Sequence, residues 1–600
     1  MTIKRTLGWV QNPGDLRKLK KVVGIFLYNS KDNLWLRNEK LPLLRKYKLV
    51  SETDYELFIS NVSNTPIEID YALLKGKGAG TAGRANAKCT GIIQAVIDGQ
   101  QNRMYFDEKG KGISIKKPYT DDWSADGYIR WAICCGLLEY SNTSDICKIS
   151  ALGIELANAE NGSPEEKKAL SKALLSYPPV LRVLNLLNKM DKLTKFELGA
   201  DLGFKGEKGF TSIQLGMYLC DYYEASSSDE RKKVRSNEEG DSDKYARGIA
   251  SWCAQMGWVI SSNEEVTGYY RGKYYSSILQ TYSLTRSGEK AIKMATGNSS
   301  NPRLDRIVMF EMLASNKAHG ADFLRYQRAA IIKAFSSGWK TLKQLKSSLK
   351  SYDIDIDMSG IEDHINGLIS IGLDIEKNGE SFKLKDNIVG LKLPPKELCI
   401  KDNVNEIVDR VREKLIELDH KYLILIDLAY SDSGNRSKKN SDAREFEIKT
   451  ADLFINELGF DGKRLGESNR PDVIISHGLN GTIIDNKSYK DGFNINKTCA
   501  DEMSRYINEN TMRLEDLNST KWWKKFNANV SVFHFLFVTS YLKGEYTRQL
   551  EYISTANNGI KGAAIGVENL LYFAEGVKRG HYTPSDFFAN FKNKEMRFSI

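Results

Sequence analysis

Residues 470–487 read Arg-Pro-Asp-Val-Ile-Ile-Ser-His-Gly-Leu-Asn-Gly-Thr-Ile-Ile-Asp-Asn-Lys. Two apolar runs, 473–476 and 482–484, flank the turn HGLNG, which is the signature of two short strands joined back to back. Outward from this pair, helical period dominates 405–430 and 443–457, and a further helix falls near 499–512. The run VSVFHFLFVTS (530–540) is too apolar for anything but a buried strand. A helix at about 547–555, a strand at 563–567 and a helix at 568–578 follow. Strands alternating with helices define an α/β domain with a mixed sheet.

The strand pair also carries the chemistry. Asp472 opens the first strand, and Asp485 and Lys487 close the second. A hairpin of this length sets the start of one strand beside the end of the other, so the two carboxylates converge. Two hard oxygen ligands suit Mg²⁺, which keeps several waters and prefers carboxylate and phosphate oxygen. Lys487 stands two residues beyond Asp485 and therefore on the same face of its strand. There it can orient a water or offset charge on a phosphorane-like transition state. Glu447, on the preceding helix, is a further carboxylate. An exposed hairpin with charged ends has the same spacing, but charged residues ending buried apolar strands need a reason.

The N-terminal half is built differently. In RWAICCGLLEY (130–140) and SWCAQMGWVIS (251–261) a Trp precedes a Gly by five residues, and a polar turn or loop and a second segment follow each. NGLISIGLDIEKNGESFKLK (366–385) ends its helix in the same way at Gly372. Each copy predicts a helix closed by a left-handed glycine, then a β-hairpin. Upstream, 180–187 precedes a segment that Thr194 can cap, and 329–335 precedes one that Thr341 can cap. Helix, capped helix, helix, hairpin is the plan of a winged helix. Polar stretches at 158–167, 296–302 and 393–397 divide the chain into 1–157, 165–294 and 303–392, each winged-helix-like, a linker at 393–397, and the α/β domain at 398–600. The third is expected to contact the last domain or the linker.

Net charge is +10, and it is unevenly placed: residues 1–50 hold twelve Lys/Arg against three Asp/Glu, and 301–350 hold ten against three. Concentrated positive charge suits a polyanion. The N-terminus lacks an apolar signal core, and no window approaches the length of a membrane span. Eight cysteines without a C-x-x-C and six histidines without H-x₃₋₅-H exclude a finger-type zinc site and fit a reducing cytoplasm. Gly78–Gly83 satisfies G-x-G-x-x-G, but no βαβ unit frames it, so the reading is a flexible loop beside Arg84 open to a phosphate. The polar stretch 225–244 is expected to be a long loop.

A PD, a spacer of twelve and D-x-K is the pattern of the PD-(D/E)xK nucleases. Behind a basic recognition half, it makes the chain resemble the FokI/StsI group of type IIS restriction endonucleases nearly end to end. The resemblance rests on Thr6–Gly14, Ile92–Ala95, Trp123–Gly127, Ser176–Pro179, Leu193–Phe196, Ser242–Arg247, Pro471-Asp472, Asp485–Lys487 and Ala500–Tyr506. It implies three winged-helix-related recognition subdomains tethered to a nuclease that cuts outside its site. It implies Asp472, Asp485 and Lys487 as catalytic, Glu447 as auxiliary, and Asp472, Asp485 and the backbone carbonyl of Asn486 as metal ligands.

The family's base-reading positions fall on Gln11, Asn12, Arg84, Gln100, Trp123, Asn237, Glu239, Lys244 and Arg247, with Ser236 where the family has Asn. Gln and Asn pair bidentately with adenine, Arg with guanine, and Glu accepts from cytosine N4. Asp501 and Arg505 would meet their counterparts across a two-fold axis in a transient homodimer on DNA, since one such centre cuts one strand. Implied as well are duplex DNA bearing GGATG, a staggered cut downstream, Mg²⁺, a bacterial cytoplasmic setting and a cognate DNA methyltransferase in the host. The alternative, of another class, is a winged-helix regulator whose last domain is an inactive partner-binding module.

Overall fold

The computed structural model describes residues 5–80, 87–99, 102–106, 112–297, 302–335, 338–396, 399, 401–431, 441–466, 470–515, 518 and 520–600, with backbone alone for 102–106, 112–115 and 441. Three small antiparallel sheets organise the N-terminal half. Each contains one of the expected hairpins: Leu138–Ser141 with Ile146–Ile149, Val259–Tyr270 with Lys273–Leu284, and Ile375–Asn378 with Ser381–Leu384. The glycines before them, Gly136, Gly257 and Gly372, have φ of 68°, 72° and 108°, the left-handed closure that a Cβ would strain.

A third short strand completes each sheet, and its last residue caps the next helix. Asp70 accepts from the amides of Ala72 and Leu73, while Thr194 and Thr341 form capping boxes with Glu197 and Gln344. Each such cap stabilises its helix by about 1 kcal/mol. The two repeat tryptophans also meet: Trp131 and Trp252 stack with ring centroids 4.4 Å apart, tying the first subdomain to the second. The stretch 225–244 departs from expectation. It is no long loop but a helix, Ser228–Asn237, capped by Ser227, followed directly by the helix Asp241–Gln255.

The C-terminal domain holds a six-stranded mixed sheet. Its strands run Asp461–Arg464, Val473–His477, Asn480–Lys487, Val532–Thr539, Lys561–Gly566 and Lys594–Glu595, in spatial as well as sequence order. The first three pair antiparallel and the rest parallel. Side chains alternate faces, as a pleated strand requires. Ile474, Ile483, Phe535 and Phe537 enter the core formed with Met503, Tyr506 and Leu550. Val473, Ile475, Ile484, Leu536 and Val538 enter the opposite core with Phe446, Phe454 and Phe573.

That second core continues into the recognition half through Phe196, Met217 and Tyr218, so the domains share apolar surface. Polar contacts reinforce it. Lys449 donates to the Ser212 carbonyl at 2.9 Å, and Lys208 pairs with Asp442 at 2.7 Å. From the third subdomain, Asp363 meets His420 Nδ1 at 2.6 Å and Arg412 Nε at 3.1 Å.

The His420 contact is expected to make docking pH-dependent. Its hydrogen bond to Asp363 raises the imidazole pKa above 6.5, against the opposing effect of burial. Stability from a histidine with a raised folded pKa is complete below the unfolded value and is lost as pH rises through the folded one. The stability advantage of the wild type over His420→Ala is therefore expected to shrink from about pH 6.5 upward, by less than about 1 kcal/mol given partial exposure. Urea titrations of both proteins from pH 6 to 9 read this directly, and a pH-independent difference would refute it.

Candidate active site and DNA-reading surface

The strand register pairs Val473 with Ile484, so Asp472 and Asp485 lie just beyond that pair at the same end of the sheet. The Asp472 amide extends the ladder by donating to the Ile484 carbonyl at 3.2 Å. At the far end, the left-handed Gly478 at φ 59° makes the tight turn that fixes this register. The amide of Asn486 donates to Asp472 Oδ2 at 2.7 Å, and its side chain to Thr450 Oγ1 at 2.6 Å. Asp485 is 4% exposed. Its Oδ2 lies 2.8 Å from Lys487 Nζ.

Electrostatics sharpen the picture. Burial first, then the charges of Asp485 and Glu447, hold the Asp472 carboxyl well above the usual carboxylate range. Burial also raises Asp485, against the pull of Lys487. Glu447 is raised by burial despite its 3.4 Å contact with Arg464. Burial works against the Lys487 ammonium, but Asp485 and Glu502 outweigh it and its pKa rises. Carboxylates that oppose one another's ionisation in a buried corner are a donor set a hard divalent cation fits. Among the described residues no group of three or more His, Cys, Asp or Glu stands ready to hold a metal. A cation here would take the two aspartates and complete its shell from backbone, water and phosphate, as Mg²⁺ prefers.

The expected base-reading residues are partly gathered. The loop carrying Gln11 and Asn12 is clamped from three sides. Trp9 Nε1 donates to the Met312 carbonyl at 2.6 Å, Trp252 Nε1 to that of Pro13 at 2.7 Å, and Gln255 Nε2 to that of Gly14 at 2.6 Å. Asn12 itself has φ 84°. The helix Asp241–Gln255 that supplies two of these clamps also presents Lys244 and Arg247. The four side chains line one groove of about 370 Å³ with Gln280 and Tyr282.

Glu239 sits beside that groove, paired with Lys195 at 2.8 Å and Arg247 at 2.7 Å. Asn237 ends the preceding helix and is exposed. Trp123 stands apart, exposed beside a second groove of about 210 Å³ lined by Lys77, Lys88 and Lys117. Arg84 and Gln100 lie outside the described residues.

Asp501 and Arg505 lie on the helix Lys497–Met512 with partly or fully exposed side chains. Two groups near the site gave no distinct signal in the sequence. Glu502, on that same helix, reaches Lys487 Nζ with Oε2 at 3.3 Å. Arg464 joins Glu447 to Glu238 of the second recognition subdomain, 2.9 Å away. Arg444 meets the same Glu238 carboxylate.

Family models match nearly the whole chain in four segments. They are the FokI recognition domain subdomain 1 at 5–159, its subdomain 2 at 166–300, the FokI D3 domain at 313–380 and the FokI cleavage domain at 401–597. A recognition half joined to a cleavage domain is the build of a site-specific deoxyribonuclease. Among curated proteins, the chain is 35% identical over 604 residues to the type II restriction enzyme FokI of Planomicrobium okeanokoites, covering 99% of each. It is 29% identical over 573 residues to the type II restriction enzyme StsI of Streptococcus sanguinis, covering 93% of this chain and 90% of that one. The solved structures of FokI alone and bound to DNA superpose with TM-scores of 0.84 and 0.86, each at 34% identity over 99% of this chain and all of theirs. The chain belongs to the FokI family of type IIS restriction endonucleases.

Proposed function

We propose that this protein binds the asymmetric duplex site GGATG through its N-terminal half and makes a staggered double-strand break at a fixed distance downstream. Mg²⁺ would be held by Asp472, Asp485 and the Asn486 carbonyl; when bound, it supplies Lewis acidity at the phosphodiester and eases loss of a proton from water. The convergence of Asp472, Asp485 and Lys487 at one end of a strand pair carries the reading. The Asn486 amide orients Asp472 through its hydrogen bond to Oδ2. The Lys487 ammonium aligns the attacking water and offsets charge developing on the phosphate. Glu447, close enough to raise Asp472, adds to the negative field that attracts a cation.

On the recognition side, Gln11, Asn12, Lys244 and Arg247 read base edges from their shared groove. Asn237 and Glu239 approach from its margin, and Trp123, Arg84 and Gln100 from the first subdomain. Glu239 holds Lys195 and Arg247 on the single oxygen Oε1, so accepting from a base means sharing that carboxylate with the two cations. Among the described residues no helix is long and apolar enough to cross a membrane.

Each nuclease domain cuts one strand, and two pair through Asp501 and Arg505 across a two-fold axis. The rate of double-strand breakage on single-site DNA should accordingly rise with enzyme concentration beyond site saturation. Arg505→Ala is expected to lower that rate about 10- to 100-fold at limiting enzyme, equivalent to about 1.5–3 kcal/mol at the interface, with recovery at high concentration. First-order behaviour with full activity in Arg505→Ala would refute pairing through this helix.

A further inference from the structure

We propose that Glu502 is a positioning residue for Lys487, the carboxylate that keeps its ammonium aimed while Asp485 is engaged elsewhere. The inference rests on the catalytic reading of Lys487 given above. The Lys487 ammonium has two carboxylate partners, Asp485 Oδ2 at 2.8 Å and Glu502 Oε2 at 3.3 Å. They differ in what else they must do. Asp485 belongs to the pair assigned to the cation, so its charge is shared. Glu502 comes from a separate element, the helix Lys497–Met512, and carries no such second duty.

Its own geometry is set. Oε1 accepts from the Tyr506 hydroxyl at 3.2 Å and lies 4.0 Å from Arg505 Nη2, which leaves Oε2 facing Lys487. Tyr506 is itself buried in the core between this helix and the sheet, so the carboxylate is braced from the protein interior. One turn of helix thus carries the proposed dimer pair, Asp501 and Arg505, and the anchor of the lysine. Seating the partner and aiming the ammonium then act on the same rigid element. A cation–carboxylate pair that depended on Asp485 alone would lose its anchor when that oxygen was recruited.

The test uses full-length protein on a duplex with one site, with single-turnover rates measured over rising enzyme concentration. Site affinity is measured in Ca²⁺, thermal unfolding without metal, and the Lys487 position in crystals of the variant on DNA with Ca²⁺. Glu502→Gln is expected to lower the plateau rate about 10- to 100-fold, the effect of a misplaced catalytic group. Affinity and melting temperature stay at wild-type values, Lys487 Nζ leaves its place, and Glu502→Asp recovers much of the rate. A wild-type plateau for Glu502→Gln would overturn the proposal. So would a deficit that disappears at high enzyme concentration, which would make Glu502 a pairing residue only. Full cleavage by Lys487→Ala would instead overturn the reading of the site on which the proposal stands.

Discussion

Asp472→Asn is expected to fold, to hold its DNA site with wild-type affinity, and to cut at least about 10³-fold more slowly, the cost of removing a central electrostatic group from a preorganised site. Binding is spared because the residues assigned to base reading lie on other subdomains, held by their own clamps. The same substitution has a second signature. Burial, Asp485 and Glu447 all oppose ionisation of Asp472. A carboxyl with a raised folded pKa contributes stability below its ordinary value and loses it as pH rises through the folded one. Asparagine cannot ionise, so without metal the variant should be more stable than wild type at neutral pH, and equal to it near pH 3. A divalent cation should raise the melting temperature of the wild type and leave that of the variant nearly unchanged. Retained cleavage, or binding lost together with cleavage, would remove Asp472 from its assigned role.

Glu238→Ala carries the second large effect. Glu238 is 1% exposed and lies between Asn237 and Glu239 in the recognition half, yet its partners, Arg444 and Arg464, belong to the nuclease domain. Removing one member of a buried ionic cluster leaves the others uncompensated, at a cost of about 3–5 kcal/mol. Arg464 would then fall back on its contact with Glu447 and on the nearby charge of Asp221. A destabilised contact between the halves is expected, read as a lower denaturation midpoint and faster proteolysis between residues 380 and 401, where the D3 and cleavage-domain matches leave a gap. Glu238→Gln, which keeps the shape and loses the charge, should lie between the two. A change below about 0.5 kcal/mol would show that the apolar surface around Phe196 and Tyr218 and the other polar contacts hold the domains together without Glu238.

Much of this was legible from local pattern. The strand pair around 470–487, the closing glycines 136, 257 and 372, and the caps Thr194 and Thr341 each obey a rule that acts within a few residues. The α/β domain with a mixed sheet was readable because its strands are apolar and buried. What escaped has a common physical cause. The helix Ser228–Asn237 has no buried residue, so it lacks the apolar stripe that announces a helix. The edge strand Asp461–Arg464, Asp-Gly-Lys-Arg, carries no apolar side chain to announce a strand.

Glu238 reads in sequence as one more acid in a charged run, and its value comes from two arginines more than 200 positions away. Glu502 reads as an ordinary helix charge until the fold brings Lys487 to it. Within the site, the motif located Asp472, Asp485 and Lys487, whereas the mutual opposition of the carboxylates emerges only when burial is added to spacing. Glu239 shows the converse: its residue type fits a cytosine contact, but in the fold its Oε1 already pairs with two cations.

The most direct test of the central claim is a Mg²⁺-dependent digest of DNA of known sequence, with both cut ends of each product sequenced. The account predicts staggered ends at one fixed distance from every GGATG, abolished by chelation and by Asp472→Asn. Specific binding without any cleavage, or ends scattered without relation to that site, would contradict it.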